Sequence, residues 1–581
     1  MRLHKHPYRI RNVFQRWNPI RILPNHRDHY PQTLRELFET STERFAKRHM
    51  SRFVDGGQAY SYARFRQVCD LQSQRLSRYG IGAGDKVAIF SQNMPNWTVA
   101  FFTAAAFGRV AIPILPDSSE NEVTNILEHS ESKVIFISQR LLPKPSQACI
   151  DKLTLVIDIE TFDLIKKDKD AFQCDGMVKA PTADELAAII YTSGTTGKAK
   201  GVMLSHRNFC QNVMASHKAE RCYPKDRFLS ILPMAHTYEM AIGCLYPIFV
   251  GACVYYIQKP PTPPVLLGAI KKIRPTVMCV VPLIIEKIYK KSILPTVNGS
   301  RTLTWMRKNI PGIFHWLVGR RLYKTFGGKL HFFGIGGSKL DPAVEDFIKK
   351  CHFPYAIGYG LTECAPLVCN AMVGRTAVGS IGIPACKVEV KLNNVNPENG
   401  EGEIMCRGDN VMLGYYKDPE RTALVIDDDG WFHTNDVAAV DKYGNYYIKG
   451  RLNNTILGPS GENIYPEEIE QVINDEEGVS ESLVMERDGK LVALVKFEDN
   501  VLNWDLAGEE KFYEAIEERK KALMERINKM VGKNSQISEV NAVKEPFEKT
   551  ATQKIRRFIY KNFRGDDKPK APKEDKNQKE D

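Results

Sequence analysis

Several features are missing from this 581-residue chain, and each absence narrows the field. Its 13 cysteines form no CxxC pair and no Cys/His cluster at metal-ligand spacing. Neither a structural zinc nor a disulfide framework is expected, and the thiols read as small buried residues of a reducing compartment. No internal repeat is present, which excludes solenoid architectures. Between residues 2 and 27 there is no Asp or Glu; the first acid is Asp28. That basic stretch lacks the apolar centre of a secretory signal and reads as an arm on a cytoplasmic protein. Long apolar runs are scarce as well. One of them, residues 240–257 (MAIGCLYPIFVGACVYYI), carries no charge over 18 positions, enough on length alone for a membrane span. Pro247, Gly243, Gly251 and the β-branched and aromatic second half predict instead a buried helix, a turn and a buried strand.

What is present is ordinary globular material, 43% hydrophobic and 26% charged, in a chain long enough for two or more domains. The net charge of +12 suits phosphate-rich ligands or anionic surfaces. Nothing beyond that charge points to nucleic acid, and none is expected as a partner. Strand-like runs at 85–91, 109–114, 133–138 and 154–159 alternate with an apolar helix at 95–107. A second helix is announced by Ser119 and Glu122, three apart as in a capping box, with Val123, Ile126 and Leu127 on one face. This alternation predicts an α/β fold with a doubly wound, mostly parallel sheet, and it recurs between about 228 and 358. Residues 387–447 change to short strands and turns, an antiparallel or barrel-like part. After Gly450 a small α+β unit is predicted. Pro466 opens a helix carrying Ile469, Val472 and Ile473, and Asp488-Gly489 turns a hairpin. A long helix then carries Ile516, Leu523, Ile527 and Met530. Residues from about 564 alternate charge without apolar content and should be disordered.

The strongest chemical signal is residues 186–201, LAAIIYTSGTTGKAKG. An apolar strand runs into a loop of hydroxyls, glycines and lysines, the kind of loop whose amides and ammonium groups surround a polyphosphate. It is not a Walker loop: Gly194 to Lys198 is too short, and Ala199 stands where the magnesium-binding Ser or Thr belongs.

Extended to YTSGTTGKAKGVMLSHRN, this segment resembles the phosphate loop of the adenylate-forming superfamily, which includes acyl-CoA synthetases, adenylation domains and luciferases. Six further segments resemble that family's motifs in the same order: ILPMAHTYE (231–239), FGIGGSKL (333–340), YGLTE (359–363), GWFHTND (430–436), GRLNNTILGPSGENIYPEEIE (450–470) and EPFEKTATQKIRR (545–557). Together they span most of the chain.

The resemblance implies two doubly wound α/β subdomains plus a distorted β-barrel, followed by a small mobile α+β C-terminal domain. The expected boundaries are a basic arm at 1–30, an AMP-binding part at 31–450, the mobile domain at 451–563 and a charged tail at 564–581. It also implies roles. Thr192, Ser193, Gly194, Thr195, Thr196, Gly197, Lys198 and Lys200 would cradle the phosphates of ATP. Glu363 would bind Mg²⁺, with the Thr192 hydroxyl as a further ligand. Gly336, Gly337 and Ser338 would form the turn under the adenine, Tyr359 would stack on that base, and Gly360 and Thr362 belong to the same motif. Asp436 and Arg451 would hold the ribose hydroxyls. His236 would stand near the substrate carboxylate. Lys554 would reach from the small domain to the carboxylate and α-phosphate oxygens, where two anions must meet.

The implied reaction makes an acyl-adenylate and then a thioester with coenzyme A, or with the phosphopantetheine of a carrier protein. HTYE, VVPLIIEKIYKK (280–291) and the 414–436 segment resemble long-chain fatty acyl-CoA ligases more than acetyl or aryl ligases. A fatty acid is therefore the expected substrate, and the basic arm suggests peripheral contact with an anionic membrane. Two departures bear on rate. Asn435 replaces the glycine common in the ribose motif, and Asn453 stands where the hinge Lys or Asp is usual. They keep open a catalytically weak sensor that binds acyl groups or nucleotide.

Overall fold

The computed structural model describes residues 29–167, 178–193, 199–457, 463–499, 501–502, 510–550, 555–561 and 563. Residues 1–28 of the basic arm, the charged tail, residues 194–198 and Lys554 lie outside the described residues.

Two large mixed sheets dominate. The first orders its strands Gly414–Tyr415, Ala199–Ser205, Leu186–Ser193, Val110–Ile114, Lys86–Phe90, Val134–Ile137, Leu155–Asp158 and Leu164–Lys167. Its central pairings are parallel and its edges antiparallel, the doubly wound pattern expected from the strand–helix alternation. The second has nine strands, parallel from Tyr355–Gly360 through Phe332–Ile335, Val277–Val280 and Arg227–Ser230 to Cys253–Tyr256 and His49–Phe53. Helix Pro95–Ala105 lies between the sheets, packed on Lys86–Phe90 and Val110–Ile114 of one and His49–Phe53 of the other. A helix in that place must be apolar all round, and every one of its residues is buried.

The capping box forms as read: Ser119 Oγ accepts from Glu122 N and the Glu122 carboxylate accepts from Ser119 N. The uncharged run folds as a buried π-helical turn Glu239–Leu245, a short helix Tyr246–Val250 closed by Gly251 at φ 75°, and strand Cys253–Tyr256. No helix among the described residues is long and apolar enough to cross a membrane. Residues Val388–Asn393, Gly402–Gly408, Phe432–Val440 and Tyr446–Arg451 make a four-stranded antiparallel sheet.

Beyond it, strands Val479–Arg487, Lys490–Phe497 and Glu539–Ala542 form a three-stranded sheet with helices Pro466–Asn474 and Glu510–Met530. Asp488 and Gly489 turn the hairpin at φ 51° and 72°, the left-handed pair that matches strand twist. Ile469, Ile473, Ile516, Leu523 and Ile527 are buried there as their spacing predicts. Met530 is not: it closes the last turn of its helix and is 56% exposed.

Candidate active site

The phosphate-loop segment is an antiparallel hairpin. Strands Leu186–Ser193 and Ala199–Ser205 pair with Thr192 opposite Lys200 and Ser193 opposite Ala199. Gly194, Thr195, Thr196, Gly197 and Lys198, which connect them in sequence, lie outside the described residues, as does the side chain of Ser193.

Lys200 does not simply line that loop. Its ammonium lies 2.8 Å from Glu363 Oε1 and donates at 2.7 Å to the Tyr415 hydroxyl, which itself donates to Glu363 at 3.0 Å. Lys200 belongs to the first sheet, and Glu363 follows strand Tyr355–Gly360 of the second, so this pair spans the two sheets. Burial pushes the Glu363 carboxyl up, but the Lys200 charge and the hydrogen bonds outweigh it and hold the group ionised, below its ordinary value. The turn that presents Glu363 needs Gly360, because a Cβ there would stand 1.9 Å from the Pro366 carbonyl oxygen. Thr362 is half-buried beside it.

Thr192, cross-strand from Lys200, has a buried hydroxyl with no hydrogen-bond partner among the described residues. An orphaned hydroxyl, one cross-strand pair from the lysine that meets an ionised carboxylate, is with that carboxylate a hard-oxygen donor set that fits Mg²⁺, which takes few protein ligands and fills the rest with phosphate and water.

A second cluster centres on Asp436. Tyr359 donates to its Oδ2 at 2.7 Å, and Arg451, its register partner on the neighbouring strand, reaches Oδ1 at 3.1 Å. Both carboxylate oxygens are thus engaged by the protein. Burial and the adjoining Asp436 charge push the Tyr359 phenol well above its ordinary value, so it stays a donor. Asn435 sits at φ 62°, and its N–H donates to Glu403 at 3.0 Å. The left-handed turn of the ribose motif therefore survives without glycine.

The third group follows strand Phe332–Ile335. Gly336 is buried; a Cβ would come within 3.2 Å of the Gly358 carbonyl and 3.4 Å of the Tyr238 ring. Gly337 adopts φ 94°, and Ser338 is exposed. Tyr238 donates to the Gly334 carbonyl at 2.9 Å, while His236 is half-buried where the chain enters the π-helical turn. Behind this turn lies a narrow, partly open cleft with a cavity volume of about 50 Å³. Its walls are almost wholly apolar, with Phe228, Tyr246, Val277, Phe332, Ile335 and Ile357 among them. Tyr238 and Gly334 line it as well, so the cleft adjoins the glycine turn.

The structure therefore brings Thr192, Lys200 and Glu363 together, joins Tyr359, Asp436 and Arg451, and sets the glycine turn against strand Tyr355–Gly360. Thr192, the glycine turn and Tyr359 with Glu363 stand at the carboxyl ends of strands paired in parallel with a neighbour, where open α/β sheets bind ligands, whereas Lys200, Asp436 and Arg451 come from antiparallel strands. From the C-terminal segment, Arg556, two residues after Lys554, reaches Glu122 at 3.2 Å.

Three residues escaped the sequence reading. Tyr415 lies within the 414–436 segment, where no spacing or motif singles it out. Glu403, which holds Asn435, carries no signal of its own. Glu239 closes HTYE yet is 1% exposed; burial pushes its carboxyl up to about 8, and Oε2 has no hydrogen-bond partner among the described residues.

Comparison with known proteins gives the family. The AMP-binding enzyme family matches residues 38–416. The chain is 29% identical to long chain acyl-CoA synthetase 7, peroxisomal, of Arabidopsis thaliana, over 75% of this chain and 68% of that protein. It is 28% identical to long-chain-fatty-acid–CoA ligase 1 of Homo sapiens, over 74% and 68%. It is also 26% identical to the long-chain-fatty-acid–[acyl-carrier-protein] ligase AEE15 of Arabidopsis thaliana, over 79% and 75%. Among solved structures, ATP-bound MatB from Rhodopseudomonas palustris superposes with a TM-score of 0.72 at 22% identity, covering 91% of this chain and 99% of that one. With the family profile spanning more than half its length, the chain belongs to the AMP-binding enzyme family.

Proposed function

We propose that this protein activates a long-chain fatty acid with ATP and transfers the acyl group to coenzyme A. In the first step a carboxylate oxygen attacks the α-phosphorus and the bond to pyrophosphate breaks, giving acyl-AMP. In the second, the thiol sulfur attacks the acyl carbon and AMP leaves, giving the thioester. The observation that carries this reading is the pair of clusters Lys200–Glu363–Tyr415 and Tyr359–Asp436–Arg451, anchored on and just after strand Tyr355–Gly360, whose Ala356, Ile357 and Gly358 also wall the apolar cleft.

The roles follow from charge. Both reactants of the first step are anions, so the site must supply fixed positive charge without reorganising. Lys200, held by Glu363 and Tyr415, provides it at the base of the phosphate hairpin. Glu363 and the Thr192 hydroxyl would hold magnesium, which would neutralise polyphosphate charge. Asp436, steered by Tyr359 and Arg451, accepts from the ribose hydroxyls, and Tyr359 lies under the base with Gly336, Gly337 and Ser338. His236 offers an imidazole N–H toward the incoming carboxylate. Lys554 enters from the C-terminal segment that Arg556 ties to Glu122 and bridges the carboxylate and α-phosphate oxygens.

The test separates the half-reactions. Lys554→Ala should lower fatty-acid-dependent pyrophosphate exchange by about 10²-fold or more, as loss of an oxyanion-type donor does. Thioester formation from synthetic acyl-AMP should be spared. Equal loss in both steps would make Lys554 a structural residue. Running the second step with coenzyme A and with a phosphopantetheinylated carrier protein identifies the acceptor.

A further inference from the structure

Residues 287–340 contain eleven Lys and Arg and no Asp or Glu. The middle of this stretch folds into two consecutive helices, Arg301–Asn309 and Pro311–Thr325, packed on one another. The second helix buries Phe314, Gly319 and Leu322, with Gly319 so close that a Cβ would stand 2.3 Å from the Cys351 carbonyl oxygen. Its inner face is therefore fully used.

The opposite face should be polar on a helix surrounded by water. It is not. Ile313, Trp316 and Leu317 are 53%, 43% and 40% exposed, and one turn later come the exposed cations Arg320, Arg321 and Lys324. The Arg320 guanidinium lies 5.5 Å from the Trp316 ring centroid. The preceding helix has no buried residue, and its Trp305 is 57% exposed. Arg301, Trp305 and Lys308, with Asn298 and Asn309, line a wide, shallow cleft.

Each component has a reason to meet a bilayer. Tryptophan settles at the headgroup level because its ring is apolar and its N–H is polar. Amphipathic helices with Trp, Ile and Leu on one side and Arg and Lys beside them lie in the interface plane. Cations near an anionic leaflet gain attraction residue by residue, and no acid interrupts the sequence of the two helices. A nucleic acid would answer the charge but leave Ile313 and Leu317 without a purpose.

We propose that the outer faces of these two helices dock on an anionic lipid bilayer. Trp305, Ile313, Trp316 and Leu317 enter the interface, while Arg301, Lys308, Arg320, Arg321 and Lys324 meet headgroup phosphates. This surface is separate from the basic stretch at 2–27. It would bring the enzyme to the phase in which its proposed substrate partitions.

The experiment uses the full chain with vesicles of phosphatidylcholine alone and of phosphatidylcholine with phosphatidylserine. Cosedimentation should require phosphatidylserine and weaken as salt rises. Brominated acyl chains should quench tryptophan fluorescence, and Trp305→Phe/Trp316→Phe should abolish that quenching while binding persists. Arg320→Glu/Arg321→Glu should lower partitioning by about ten-fold or more, with activity on a water-soluble acid unchanged. Unchanged partitioning in the charge-reversed protein would overturn the proposal. So would quenching that survives loss of both tryptophans, since it would then arise at Trp17 or elsewhere. Equal binding to heparin without bromolipid quenching would make this a general polyanion surface instead.

Discussion

Glu363 and Glu239 are both buried carboxyls, and their surroundings give them opposite charge states. Glu363 has Lys200 at 2.8 Å and stays ionised. Glu239 faces the phenols of Tyr238 and Tyr256, the thiols of Cys244 and Cys279 and the Ser230 hydroxyl, and burial keeps it protonated up to about pH 8. In an unfolded chain the same group titrates near 4.5. Its stabilising contribution is therefore complete below about 4.5 and is lost as pH rises through about 8. Glu239→Gln removes that titration. Urea unfolding at pH 5 and pH 8.5 should show the variant gaining on the natural protein by on the order of a few kcal/mol at the higher pH. The His331 imidazolium, held charged to about pH 9 by Asp226 and Glu220 against its burial, titrates in both proteins and cancels from the difference. Parallel pH profiles would show that Glu239 is already ionised in the folded state. Glu363 is tested by metal. Glu363→Gln should raise the magnesium concentration for half-maximal activity by about ten-fold, from loss of one charged ligand. An unchanged magnesium titration, with folding verified by thermal melting, would remove Glu363 from the metal site.

Among the elements, those with strong periodicity or a cap were legible in the sequence. The strands at 86–90, 110–114, 134–137 and 155–158 and the capping box at Ser119 appear within a residue or so of expectation. Their burial pattern is written in their own side chains. Contacts made by distant segments were not legible. Nothing near Lys200 announces that Tyr415, 215 positions away, will hold it. Nothing in HTYE says that the chain winds into a π-helical turn that seals Glu239 against Gly243. The departure at 453 belongs to this scale. Asn453 is exposed in a short 3-10 turn, Leu452–Asn454, between strand Tyr446–Arg451 and the C-terminal helices. If this turn is the pivot, Asn453→Pro should trap one orientation, because proline fixes φ near −65°. Pyrophosphate exchange and thioester formation from synthetic acyl-AMP should then separate, one surviving and the other lost. Loss of neither would move the pivot elsewhere, and proportional loss of both with folded protein would reduce the effect to stability.

At the scale of the whole molecule, the two sheets meet through a few long-range bonds, and the chemistry gathers where they meet. Lys200 and Glu363 come from different sheets, helix Pro95–Ala105 fills the space between them, and the apolar cleft runs along the second. The motif order in the sequence indicated the family, while the apolar cleft walled by strand Tyr355–Gly360 became visible only in three dimensions. The most direct test of the central claim is AMP release by the full chain with ATP, magnesium and coenzyme A, offered straight-chain acids of increasing length. The account predicts that release depends on both acid and coenzyme A, is weak with acetate and rises to a maximum with long-chain acids. AMP release that is highest with short acids, or absent with every acid, would contradict it.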